Sequence, residues 1–252
     1  MTNTLVQYVY NVEQADNVYN VTFLTEAEKT QMRVDAVECV ELTRECQEAP
    51  KNGTICTEAM GCWMQKLIGP FQQAKRNNYD MRLPCDAEKN PLCYDFSAVT
   101  AYLDSEKVRT YLNVSSKVGG WVPINQNVTQ TFVADGDWSM SFHTLIADML
   151  NDGLRVLIYA GDADLMCNWQ GNQAWTKELE WTGHKGFNAV EERAFITHDP
   201  LVANASAVDA GVLRVFENFA FLRLFNAGHM VPMDQPAVSL EMVNKFFKGE
   251  AY

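Results

Sequence analysis

Apolar positions recur at helical spacing in the first third of the chain and condense into short runs in the last third. Between residues 26 and 45, Met32, Ala36, Val37 and Val40 share a helical period, and Thr25 with Glu28 is placed to form a capping box. The helical pattern continues to about Lys75, broken by a turn at Ala49-Pro-Lys-Asn-Gly-Thr54. From Tyr79 to about Gly136 the chain reads as loop-rich, with two short helical pieces near residues 97–102 and 105–112. After Trp138 the pattern changes. An amphipathic helix is expected over 140–150, an apolar strand over 154–160 ending at Gly161, and a helix over 169–179. Residues 211–217 and 219–225 read as paired strands, and 236–247 as a closing helix. The chain thus divides into a helical and irregular segment, 1–135, and an α/β segment, 136–252, with no internal repeat.

Composition adds limits. With 47% hydrophobic and 21% charged residues, the 252 residues can build a sizeable core. A formal net charge of -12 lacks the basic footprint that phosphate binding needs, so nucleic acid is excluded as a partner. No apolar run is long enough for a membrane span, and the first residues lack the charged start and apolar stretch of a signal peptide.

Seven cysteines stand at 39, 46, 56, 62, 85, 93 and 167. The four clustered ones lack Cys-x-x-Cys spacing and have no histidine nearby, which favours disulfides over a metal, although spacing leaves the pairing open. Asn20, Asn52, Asn113, Asn127 and Asn204 each begin an N-glycosylation sequon. Together these features favour an oxidising, secretory route, and in the absence of a signal peptide the chain reads as the downstream part of a longer one.

The chemistry concentrates in two segments, Tyr159-Ala-Gly-Asp-Ala-Asp-Leu-Met-Cys-Asn-Trp169 and Phe225-Asn-Ala-Gly-His-Met-Val-Pro232. Each follows an apolar strand-like run, the position where an open α/β sheet keeps its functional groups. Asp followed by His in chain order matches the second and third members of a Ser…Asp…His triad, yet no G-x-S-x-G elbow occurs in the 252 residues. Spacing alone leaves Asp162 and Asp164 equal. His143, His184 and His198 lack such a setting and read as structural. Metal ligation by His229 finds no His-x-x-x-His or similar neighbour in the chain, and neither a metal nor another cofactor is expected.

These segments, with Asn-Tyr-Asp80, Cys93-Tyr, Gly136-Asp-Trp138, Gly171-Asn172-x-x-Trp175 and Met-Val-Pro232-x-Asp-x-Pro236 in the same order, resemble the carboxyl-terminal portion of serine carboxypeptidases over nearly the whole sequence. The resemblance implies an α/β-hydrolase with a disulfide-clipped helical lid insertion. It also implies release of single residues from peptide or protein carboxyl ends at acidic pH, by an acyl-enzyme route. Asp164 becomes the triad acid, His229 the base, and Asp162 a supporting residue. The serine would come from an absent upstream portion of the same protein. Relatives in the family bridge a cysteine just after the position of Trp121 to that portion; Gly119-Gly-Trp-Val-Pro-Ile-Asn125 has none, so association would rest on packing.

By the same resemblance the disulfides are Cys39 with Cys62, Cys46 with Cys56, and Cys85 with Cys93. Cys167 is then a free thiol beside the triad and not a nucleophile. Tyr79, Cys167 and Met230 are candidates for the pocket that receives the departing residue, with Trp138 and Met166 on its other wall and a hydrophobic preference. The bland reading of Tyr79, Tyr94, Trp121 and Trp138 is that they cover the core edge. The resemblance further implies a vacuolar, lysosomal or extracellular location and admits a homodimer. An inactive carboxypeptidase-like binding or chaperone protein, or an acyltransferase using the same triad, would carry the same residues.

Overall fold

The computed structural model describes residues 2–49, 52–86, 88–90, 92–199, 201–202, 204 and 206–250. Its main sheet has four strands, β3 (Val156–Gly161), β4 (Arg193–Thr197), β5 (Val208–Phe216) and β6 (Phe219–Leu224), after a small hairpin of β1 (Arg76–Asn77) and β2 (Asp80–Pro84). The order across the main sheet is β3-β6-β5-β4, with β3 parallel to β6 and the other pairs antiparallel.

Strand β6 explains why the sheet is covered on both sides. Its alternate residues Ala220, Leu222 and Leu224 enter one cluster with Phe195, Val231 and Met242, the last from the closing helix Pro236–Lys248. Phe219 and Phe221 point to the opposite face and pack with Leu150, Trp175, Trp181 and Phe187. The helices His143–Asn151 and Trp169–Glu178 supply that second layer. The expected β5–β6 pairing is present, whereas β4, β1 and β2 were not anticipated: β1 has only two residues, and β4 alternates Ala194 and Ile196 outward around a buried Phe195.

The helix Glu26–Glu48 starts at Thr25 with the expected capping box. Lys29, Met32, Ala36, Cys39, Thr43 and Cys46 form its buried stripe at steps of three and four. Val37 departs from the expected stripe, because it lies one position past Ala36 and faces solvent at 72% exposure. Disulfides Cys39–Cys62 and Cys46–Cys56 clip this helix to the helix Gly53–Cys62, and Cys85–Cys93 closes a separate loop. Of the turn joining the two helices, Pro50 and Lys51 lie outside the described residues. The chain continues without a break into a π-helical stretch, Trp63–Ile68.

The loop-rich segment holds the two expected short helices, Ser97–Leu103 and Glu106–Tyr111, and one that was not expected, Gln126–Ala134. Asn125 caps it, accepting from the backbone of Asn127 and Val128. Only Val133 of that helix is buried. The five sequon asparagines are all exposed, and Ala205 of the last sequon lies outside the described residues. Among the described residues no helix is long and apolar enough to cross a membrane.

Candidate active site

Parallel pairing of β3 with β6 sets Gly161 opposite Leu224, so the two strands end side by side. The loops that follow carry Asp164 and His229, and their backbones are joined: Asp162 donates to the Leu224 carbonyl at 2.9 Å and Ala163 to the Ala227 carbonyl at 2.8 Å. A third segment is threaded between them. The Asn78 carbonyl accepts from Leu165 and Met166, both at 3.1 Å, the Tyr79 carbonyl accepts from His229 at 2.6 Å, and Met81 donates to Ala163 at 2.9 Å.

The side chains meet as a consequence. His229 Nδ1 lies 2.8 Å from Asp164 Oδ2, while Asp164 Oδ1 accepts the Met166 backbone N–H at 2.9 Å. Asp164 is 4% exposed at its side chain and His229 37%, so an enclosed carboxylate holds a ring open to the cleft. Hydrogen bonding to Asp164, and next to Cys167, raises the imidazole to about 10 against the opposing effect of burial. Tyr79 packs against the imidazole with its ring tilted by 57° and the centroids 5.3 Å apart, and burial with the nearby Asp164 charge raises its phenol.

Asp162 has different company. It is buried, pairs with Arg223 of β6 at 3.3 Å and accepts the Tyr19 hydroxyl. The Arg223 guanidinium in turn lies 3.9 Å from the Trp169 ring centroid. The two acids that spacing could not separate are thus separated by their partners.

A cleft of about 650 Å³ opens beside His229, and Tyr79, Trp138, Met166 and Cys167 line it. Met230 does not join them; it is half-buried at the start of the short helix Val231–Asp234. Tyr8, Trp63, Phe132 and Phe142 also line it and were missed in the sequence. Tyr8 stacks on Trp63 with centroids 5.3 Å apart, and Trp63 donates to Asn11 Oδ1 at 3.0 Å. Asn11 then donates to the Leu165 carbonyl at 2.9 Å, tying this aromatic wall to the acid loop. No local motif marks Tyr8, Asn11 or Trp63; only their meeting in space does.

The first residues also belong to this neighbourhood, since Gln14 donates to the Asp164 carbonyl at 2.8 Å and Asn168 to the Gln7 carbonyl at 3.1 Å. Cys167 is free of any disulfide and half-buried. Among the described residues, Asp164, Cys167 and His229 are the group able to offer donors to a metal, with their ligand atoms within 4.8 Å of one another.

The sequence profile of the serine carboxypeptidases matches residues 1–249. The chain belongs to the serine carboxypeptidase family. Carboxypeptidase Y homolog A of Chaetomium globosum is 37% identical over 228 residues, which are 90% of this chain and 39% of that protein. The homologue of the same name from Sclerotinia sclerotiorum is 39% identical over 209 residues, 82% of this chain and 36% of its own length. Kex1Δp, a prohormone-processing carboxypeptidase from Saccharomyces cerevisiae, superposes with a TM-score of 0.76 at 20% identity, covering 99% of this chain and 53% of that one. The fold is therefore that of a serine carboxypeptidase, an α/β-hydrolase with a disulfide-clipped helical insertion. This chain spans well under half the length of either of these curated relatives.

Proposed function

We propose that this chain supplies the base and its orienting acid to a serine-type carboxypeptidase that releases single carboxyl-terminal residues from peptides and proteins. The nucleophilic serine, in this reading, lies in a portion of the protein outside the 252 residues. The observation that carries it is the 2.8 Å contact between His229 Nδ1 and Asp164 at the adjoining ends of two parallel strands. With Nδ1 committed to the carboxylate, Nε2 is the nitrogen left to take the serine proton and return it to the departing amine. The base must be neutral before attack, and in this chain hydrogen bonding to Asp164 holds the imidazole above its ordinary value.

The rest follows from the walls of the site. Tyr79, Trp138, Met166 and Cys167 present apolar, polarisable surface, which supports a preference for hydrophobic side chains. Cys167 serves as wall, the serine being the nucleophile. The helical portion acts as a lid over the sheet portion. Strand β3 pairs on one side only among the described residues, and Tyr159 on it is 44% exposed, which supports packing of the upstream portion there. Exposed sequons and three disulfides support a secretory destination: vacuole, lysosome or exterior.

Hydrolysis of a blocked dipeptide tests the reading. The chain joined or recombined with its serine-bearing portion should release the terminal residue and lose that activity on His229→Gln, while the 252 residues alone should be inactive. Turnover by the purified 252-residue chain would overturn it.

A further inference from the structure

Tyr19 stands in a turn folded on its own chain. The Asn17 carboxamide accepts from the backbones of Tyr19 at 3.1 Å and Val21 at 3.2 Å, and donates to the Val21 carbonyl at 2.9 Å. The Tyr19 ring is half-buried and packs on the cluster that holds Ala163 and Leu165, the two neighbours of Asp164. The Arg82 guanidinium lies 5.4 Å from the ring centroid. The hydroxyl is thereby brought between two loops far from it in sequence. It donates to the buried carboxylate of Asp162 and accepts the Asn226 backbone N–H at 3.0 Å.

We infer that Tyr19 is a positioning residue for the Asp164–His229 pair, its hydroxyl clasping the acid loop to the histidine loop. Its effect on turnover rests on the peptidase reading; its effect on geometry does not. Asn226 turns the chain from β6 toward His229 with φ at 56°, in the left-handed region. Both of its backbone groups are held, the N–H by Tyr19 and the carbonyl by Gln235 Nε2 at 3.1 Å. Without the hydroxyl, the Asn226 N–H is left to water, and Asp162 keeps Arg223 but loses its other side-chain donor. The turn then gains freedom three residues before the imidazole, and a base displaced by about 1 Å loses much of its effect.

Tyr19→Phe removes one oxygen and keeps the ring, so it tests the clasp without emptying the cluster. In the 252-residue chain, amide hydrogen exchange at Asn226 and Ala227 should quicken by roughly 5- to 10-fold. The imidazole nitrogen shifts of His229 should titrate nearer the ordinary 6.5, because the contact with Asp164 loosens. In the serine-bearing protein, kcat should fall roughly 10-fold with KM changed by less than about twofold. Val18→Ala, at a neighbouring side chain 70% exposed, should match the parent in all three measurements. An unshifted titration in Tyr19→Phe would overturn the proposal even where stability falls or exchange quickens, since the hydroxyl would then serve the loop and not the imidazole. A parental kcat in an active enzyme would overturn it as well. Faster exchange and a shifted titration in a protein whose parent has no peptidase activity would sink the function and leave the clasp standing.

Discussion

Gly228 is pressed against Tyr79: a Cβ on Gly228 would sit 2.3 Å from the Tyr79 carbonyl oxygen, the atom that also accepts the His229 backbone N–H at 2.6 Å. The same glycine donates to Asp234 Oδ2 at 2.7 Å, and Asp234 lies 3.6 Å from Arg82, which makes a two-point contact with Asp80. The position of the histidine is thus set from both sides by chain that precedes and follows it.

Gly228→Ala should move His229 away from Asp164. A loss of about 1–3 kcal/mol in stability is expected from the forced contact. Displacing the base by about 1 Å should cost roughly 100-fold in kcat of the serine-bearing protein. Denaturant unfolding and kinetics check the pair of effects; an unchanged kcat would show that the loop yields elsewhere.

Asp162 and Asp164 should fail differently. In the serine-bearing protein, Asp164→Asn should lower kcat by about 10⁴-fold with the fold retained. Asp162→Ala strands Arg223, whose side chain is 19% exposed, and should cost about 3–5 kcal/mol of stability. Equal kinetic losses at matched stability, or a kinetic loss confined to Asp162, would reverse the two roles.

The imidazole of His229 should remain charged in the 252-residue chain well above neutral pH. Its ordinary value of 6.5 is raised to about 10. A raised value means a contribution to stability that is complete below about pH 6.5 and is lost as pH climbs through about 10. The advantage of the parent over His229→Gln should therefore shrink between neutral pH and pH 10. Imidazole nitrogen shifts read the titration directly, and midpoint titration near 6.5 with Asp164 intact would contradict the argument.

Cys39→Ser with Cys62→Ser should be more damaging than Cys85→Ser with Cys93→Ser. The first pair closes a separation of 23 residues and lies in the cluster of Tyr8, Trp63 and Leu67; the second closes 8. Loop closure puts a typical bridge at about 2–4 kcal/mol and rises slowly with loop length. Loss of the first pair should also loosen Trp63 and with it the cleft wall, visible as a change in tryptophan fluorescence.

Much of this protein was legible in the chain because its signals are local. The capping box at Thr25, the double-sided apolar run of β6 and the helix after Pro236 each depend on neighbours a few residues away, so periodicity finds them. The Asp and His loops were legible for a related reason: each sits just past a strand, and the order of motifs carries the family. The helix Gln126–Ala134 escaped because it is short and rich in weak helix formers, Asn127, Val128, Thr129, Thr131 and Val133 among them, and Val37 misled because a helical period leaves the phase of a helix uncertain by one position.

What the tertiary structure alone decided are the partners. Spacing left Asp162 and Asp164 equal and the motif resemblance ranked them, but only the fold shows what each touches: Arg223 and Tyr19 for Asp162, His229 for Asp164. The stacking of Tyr8 on Trp63, and the meeting of His229 with the loop of Asp164 and Cys167, each join segments over fifty residues apart. A single sequence records which side chains are present and their local period, while such meetings depend on strand pairing and packing between distant segments, where the parallel register of β3 on β6 is the physical cause.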